Sequence, residues 1–367
     1  MSTERVGVDR IEVATYTIPT DRPEADGTLA WDSTTLVTAH AHAGGRSGLG
    51  WTYTHRAAAL LIADTLTDVV CGGDAFDVPK SWTRMNRQIR NLGRPGLGMM
   101  AISAVDVALW DLKARLLDAS LFDLLGCARE AVPLYGSGGF TSYSLDELTA
   151  QLSGWVAQGI PRVKMKVGTH PDEDPARVRA ARKAIGDDVE LMVDANGAYG
   201  RKQALALAQE FAGQDVVWFE EPLPSADLDG LRLMRDRAPD GMAIAAGEYG
   251  WDAGYFRDML QAGAVDILQA DATRCGGYTG FQQVDALCRG FGIPLSAHCA
   301  PALHLPACCA ARTLVHQEYF HDHVRIERIA FDGVPDTVGG ALRPDRSAPG
   351  HGYALRAADI EPYRVCP

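Results

Sequence analysis

Residues 190–222 read ELMVDANGAYGRKQALALAQEFAGQDVVWFEEP. A short apolar run from Glu190 to Val193 stops at Asp194. The stretch from Gln203 to Ala212 repeats apolar residues at three- and four-residue spacing, and a second apolar run, Val216 to Phe219, stops at Glu220-Glu221-Pro222. This is one strand-helix-strand unit of a parallel sheet, and each of its strands ends in a carboxylate. The same rhythm extends in both directions. Strands are expected near Val132 to Tyr135, Arg162 to Val167, Glu190 to Val193, Val216 to Phe219, Met242 to Ala246, Ala264 to Gln269, Ile293 to Ala297 and Val315 to Tyr319. Between them the periodicity predicts helices over Leu145 to Gln158, Pro175 to Ile185, Gln203 to Ala212, Leu228 to Arg237, Trp251 to Gln261 and Gly280 to Phe291. An open, doubly wound sheet shares this pattern, but no GxGxxG or Walker stretch follows the first strands. A closed α/β barrel is therefore predicted.

The flanks differ. Val6 to Pro19 and Thr34 to Thr52 alternate as β-strands do, with Gly44-Gly45 and Gly48-Leu49-Gly50 read as turns. Helical periodicity follows over Ala57 to Val70, Lys80 to Asn91 and Met99 to Leu117. We divide the chain into an α+β domain over residues 1–130, a barrel over 131–323 and a segment over 324–367 that returns to the first domain. That last segment is rich in Gly, Pro and Arg and is expected to be extended at Val324 to Ile329 and Tyr353 to Arg356. His321-Asp322-His323 reads as a turn after the last strand, and Cys308-Cys309 as part of a helix.

The chain has 367 residues and a formal charge of −12. An acidic surface repels phosphate backbones and anionic lipid, which argues against nucleic acid and membrane partners. Neither a signal peptide nor a membrane span is visible, and a cytoplasmic location is expected. The eight cysteines include no CxxC pair, so they read as reduced thiols and not as a zinc site or a disulfide frame.

The chemistry lies where polar residues end the apolar strands: Lys164 and Lys166, Asp194, Glu220, Glu248, Asp271, His298 and Glu318. From Lys166 onward these strand ends recur every 20–28 residues, one strand-helix unit each. In a βα barrel such positions converge on a single mouth. Like charges about 4 Å apart repel by roughly 4 kcal/mol at an effective dielectric near 20, so Asp194, Glu220 and Glu248 require a cation. Taken singly, each acid is as readily a helix cap or a surface ion pair. Three in register point to a hard divalent ion held by oxygen, which suits Mg²⁺. Alternation puts Lys164 and Lys166 on one face, where repulsion and burial are expected to lower a lysine pKa toward that of a base. Asp271 can fix the tautomer of His298, and Glu318 is expected to stay protonated and donate a hydrogen bond.

With these residues in order, the chain resembles the enolase superfamily, and within it the mandelate racemase subgroup. The motifs that carry the resemblance are Lys164-Met165-Lys166, Val193-Asp194-Ala195-Asn196-Gly197, Glu220-Glu221-Pro222, Gly247-Glu248, Asp271, His298 and Glu318. The resemblance implies a modified TIM barrel of (β/α)7β type with an N-terminal capping domain. It implies Mg²⁺ on Asp194, Glu220 and Glu248, with Lys166 and the His298–Asp271 dyad as bases on opposite faces of a small carboxylic acid. It also implies that Lys164 touches the substrate carboxylate, that Asn196 lies near the substrate, that Glu318 hydrogen-bonds the enolate, and that the protein is a homo-oligomer. The loop Thr20 to Thr28 and the Trp51-Thr52-Tyr53 segment are expected to close over the mouth, with Trp51 and Tyr53 binding substrate.

Removal of an α-proton and loss of a β-hydroxyl would convert a sugar acid to a 2-keto-3-deoxy acid, and this is the reading favoured for so polar a site. Racemisation or epimerisation of a 2-hydroxy acid, or cycloisomerisation of a sugar lactone, is the alternative. Two further readings compete. A Schiff-base lysine would leave the three carboxylates without a role, and a barrel kept only as a binding protein would not need the full set of bases.

Overall fold

A computed structural model describes residues 5–365. Eight parallel strands close into a barrel. Following three N-terminal strands, β1 (Arg10–Ala25), β2 (Ala30–Ala43) and β3 (Arg46–Tyr53), these are β4 (Val132–Gly138), β5 (Arg162–Lys166), β6 (Glu190–Asp194), β7 (Val216–Glu220), β8 (Ala243–Ala246), β9 (Ile267–Ala270), β10 (Leu295–Ala297) and β11 (Leu314–Phe320). Each pairs with the next, and β11 pairs with β4 to complete the ring. Seven helices connect the eight strands, running from Leu145–Ala157 to Pro301–Ala310. The modified barrel with its capping domain is therefore the fold observed. The buried rings of Tyr135 and Trp218, with Met192 and Ala245, pack together as one apolar cluster on β4, β6, β7 and β8.

Two local readings are corrected. Val324 to Ile329 is not extended: a helix, His321–Ala330, follows β11, and His321-Asp322-His323 is its first turn. Ile326 and Ala330, four residues apart on it, are buried, while Arg325 pairs with Asp322 on the same helix. Gly48-Leu49-Gly50 is not a turn but the middle of β3. The two glycines let the helix Leu97–Leu116 lie directly on the sheet, since a Cβ at Gly50 would stand 2.2 Å from the carbonyl oxygen of Ala104. Gly44-Gly45 is the turn: it joins Ala43 to its partner Arg46 with both φ angles positive, as the tightest hairpin loops require.

Parts of the C-terminal segment contact the N-terminal strands and helix. Thr15 of β1 pairs with Val365, and the buried Asp111 carboxylate accepts hydrogen bonds from the backbone N–H groups of Leu49 and His351, at 2.8 Å each. No described helix is long and apolar enough to cross a membrane.

Candidate active site

All of the predicted polar strand ends are buried at one end of the barrel. Most arrive for the reason read in the sequence, a short apolar strand that stops at or just before a charged residue on its C-terminal side, whereas Lys164 lies mid-strand and Glu318 lies inside β11, two residues before its end. Asp194, Glu220 and Glu248 each offer a carboxylate oxygen within 4.8 Å of the others. Lys166 Nζ donates to Asp194 and, at 3.1 Å, to Asn196 Oδ1. Lys164 Nζ donates to both Glu220 oxygens at 2.6 and 2.7 Å and lies 2.9 Å from Glu318 Oε1. His298 Nδ1 lies 2.8 Å from Asp271 Oδ2, and its Nε2 stands 3.3 Å from Glu248 Oε2. The carboxylate trio is thus contacted at one end by Lys166 and at the other by His298.

The donor set fits a hard dication. It consists of three buried carboxylates, and Glu248 Oε2 accepts no hydrogen bond at all. The neighbouring Glu221 is also fully buried with both oxygens unpartnered; burial, then Glu248 and Asp194, hold its carboxyl well above the usual range.

Two electrostatic expectations change. Burial opposes the charge of both lysines, and Lys164 also lowers Lys166, but the carboxylates around them win, chiefly Glu220 and Glu318 for Lys164 and Asp194 for Lys166. Both are raised. Glu318 is held as a carboxylate and not protonated, because Lys164 and then His298 outweigh its burial. Burial disfavours the charged imidazole, but Cys299 and Glu248 raise His298 well above its ordinary value, while the hydrogen bond from His298 helps keep Asp271 low against its own burial.

Trp51 and Tyr53 do not line the mouth. Strand alternation turns both toward the C-terminal segment, where Trp51 is fully buried against Phe331 at a centroid distance of 4.3 Å. Tyr53 stacks at 3.5 Å on His323, whose Nδ1 accepts from Ala300 N, so it stands behind the loop that carries His298. The stretch from residue 20 to 28 is not a loop throughout, since β1 runs on to Ala25, but the turn that follows it sits on the barrel end. Thr141 and Thr169 hydroxyls donate to the Asp26 carbonyl at 2.8 and 2.7 Å, and Gly27 lies so close to the Val167 and Ala195 carbonyls that no side chain fits there.

Other groups at the site escaped the sequence reading. Arg274 reaches Glu248 Oε1 at 3.4 Å and Asp271 Oδ2 at 3.6 Å. Trp218 Nε1 and Gln269 Nε2 donate to Glu220 Oε2 at 2.9 and 3.0 Å. Cys299 Sγ lies 3.2 Å from His298 Nε2. Trp218 and Gln269 were findable, since each lies two residues before a strand-end acid on the same face. Arg274 and Cys299 depend on loop geometry. The loop after β9 is fixed by the cap: Thr52 Oγ1 donates to Thr273 O, Trp82 Nε1 to Gly276 O, and Ser103 Oγ accepts from Gly276 N, each at 2.9 Å. Gly276 is thus the centre of this anchor.

Comparison with known proteins gives the family. Residues 147–359 match the family model described as enolase C-terminal domain-like. Residues 11–126 match that of the mandelate racemase/muconate lactonizing enzyme N-terminal domain. The chain is 33% identical, over 95% of its length and 97% of the relative's, to 3,6-anhydro-alpha-L-galactonate cycloisomerase of Streptomyces coelicolor. It superposes with a TM-score of 0.96 on a mandelate racemase/muconate lactonizing enzyme-like protein from Rubrobacter xylanophilus, at 57% identity over 98% of this chain and 100% of that one. L-talarate dehydratase from Polaromonas, solved with Mg and L-glucarate, gives a TM-score of 0.88 at 30% identity over 98% of both chains. Members of this superfamily use Mg²⁺. The relatives are enzymes of the dehydratase, cycloisomerase and racemase kinds, and the chain belongs to the mandelate racemase/muconate lactonizing enzyme family of the enolase superfamily.

Proposed function

We propose that this protein removes the α-proton of a sugar acid and expels the oxygen on its β-carbon, giving a 2-keto-3-deoxy acid. The observation that carries the reading is the placement of two bases, Lys166 and the His298–Asp271 dyad, at opposite ends of the Asp194–Glu220–Glu248 trio. Asp194, Glu220 and Glu248 would hold Mg²⁺, which when bound stabilises the negative charge that a carboxylate gains as its α-proton leaves. Lys164, already between Glu220 and Glu318, supplies a fixed positive charge for the substrate carboxylate. Lys166 or His298 takes the proton, according to the configuration of the α-carbon. His298 presents Nε2 toward the carboxylate trio because Nδ1 is engaged with Asp271. Asn196, 3.1 Å from Lys166 Nζ, orients that base, and Arg274 braces the dyad from the other side.

Loss of a β-hydroxyl makes the reaction a dehydration. A second reading keeps every residue role and tethers the β-oxygen in a ring, so that elimination opens the ring without releasing water; the match along nearly the whole chain to a cycloisomerase favours it. A panel of stereoisomeric sugar acids and their lactones, incubated with Mg²⁺ and scored for 2-keto product with semicarbazide, tests the proposal. Mass balance separates the two readings, since only dehydration loses water. A panel yielding neither keto acid nor exchange of the α-proton into deuterated solvent would overturn both.

A further inference from the structure

Beside the carboxylate trio stands a second cluster of a different chemical kind. His298 Nε2, Cys299 Sγ and Glu318 Oε2 are mutually close: 3.2 Å from nitrogen to sulfur, 3.4 Å from sulfur to oxygen, and 3.7 Å from nitrogen to oxygen. All three residues are buried. Tetrahedral zinc, with bonds of about 2.1 Å to nitrogen or oxygen and about 2.3 Å to sulfur, sets its donors about 3.4–3.6 Å apart. The cluster matches that spacing to within a few tenths of an ångström. Glu248 Oε2, buried and without a hydrogen bond, lies 3.3 Å from the same nitrogen and belongs to the neighbouring carboxylate trio. The imidazole is oriented for ligation as well, because Asp271 holds Nδ1 and turns Nε2 toward the cluster.

We propose that His298, Cys299 and Glu318 form a second cation site, specific for thiophilic dications such as Zn²⁺ and Cd²⁺, whose occupancy captures the Nε2 lone pair and silences the enzyme. Thiolate and imidazole are poor ligands for Mg²⁺ and good ones for zinc and cadmium, so the two adjacent sites discriminate by donor type. Binding replaces the Cys299 thiol proton and the proton on His298 Nε2, both of which pass to solvent; nothing is oxidised. Existence of the site is independent of the reaction assigned above, whereas its inhibitory effect rests on His298 being a base in that reaction.

The test titrates the Mg²⁺-loaded enzyme with Cd²⁺ and follows the ultraviolet charge-transfer band of a cadmium–thiolate bond. One equivalent of band is expected, with a cadmium-113 resonance of the wild-type protein characteristic of one sulfur with nitrogen and oxygen donors. Cys299→Ser should lose the band while still binding Mg²⁺ by calorimetry, which also reports that it is folded, and His298→Asn should weaken Cd²⁺ binding at least tenfold. A band of equal size in Cys299→Ser, or none in the wild type, overturns the site. In a parallel assay of α-proton exchange, Zn²⁺ should inhibit the wild type at a concentration at least tenfold lower than it inhibits Cys299→Ser. A cadmium band with no inhibition by zinc would leave the site standing and remove His298 from its role as base.

Discussion

Lys166 is held by Asp194 and Asn196 and His298 by Asp271, at opposite ends of the carboxylate trio, and that arrangement lets either act on a substrate. Lys166→Ala and His298→Asn are expected to lower α-proton exchange by about a thousandfold each on substrates that use the altered base. Deuterium incorporation read by mass spectrometry measures this directly. Glu24 gives a prediction of another kind. It is fully buried with Oε1 unpartnered, and burial followed by the charge on Asp322 pushes its carboxyl up from 4.5 to about 9. Between those values the folded protein keeps a proton that the unfolded chain releases. Stability therefore falls as pH rises from 4.5 to about 9, by up to about 1.4 kcal/mol per pH unit from this one group. Denaturant melts of Glu24→Gln should show a shallower decline over that window than the wild type. At this scale the sequence was most legible where an acid or lysine ended an apolar strand, because alternation alone decides which way such a side chain points. It was least legible at Arg274 and Cys299, which reach the site through loop backbone. It misled at Trp51, a strand residue whose face is set by the C-terminal segment packed on it.

Among the elements, the helix Leu97–Leu116 does more than fill the cap. Its Ser103 and Asp106 accept hydrogen bonds from Gly276 and Thr279, and thereby hold the loop that presents Asp271 and Arg274. The seating of that helix depends on Gly50. Gly50→Ala would drive a methyl into the Ala104 carbonyl, and overpacking of this kind costs about 1–3 kcal/mol. Urea titration should show the loss, with exchange activity falling more than stability alone explains because the dyad loop shifts with the helix. Strands and helices of the barrel were readable to within a few residues because each alternates a fully apolar run with an amphipathic one. The paired glycines of β3 were not, since the same residue type marks both a turn and a close approach, and only the position of the opposing helix distinguishes them. The helix His321–Ala330 was missed for a related reason: it is rich in charge, and its buried face is short.

At the level of the molecule, cap and barrel share one site, so its metal should couple to the stability of the whole. A dication at a hundred times its Kd adds about 2.7 kcal/mol to a protein that binds it only when folded. The expected outcome is a rise in melting temperature with Mg²⁺, abolished by chelator and restored by adding the metal back. Glu248→Gln should need at least tenfold more Mg²⁺ for the same rise. The barrel and its cap were legible from rhythm alone, but the interlock between them was not, because it is made by contacts between distant parts of the chain. One such contact governs how the protein can be made. The outer edge of β1 is covered by the strand Arg364–Val365, 350 positions downstream of its partner Thr15 (365 − 15). While the chain emerges from a ribosome, that edge stays bare until the entire barrel has been translated, so the cap's sheet is finished after the barrel it covers.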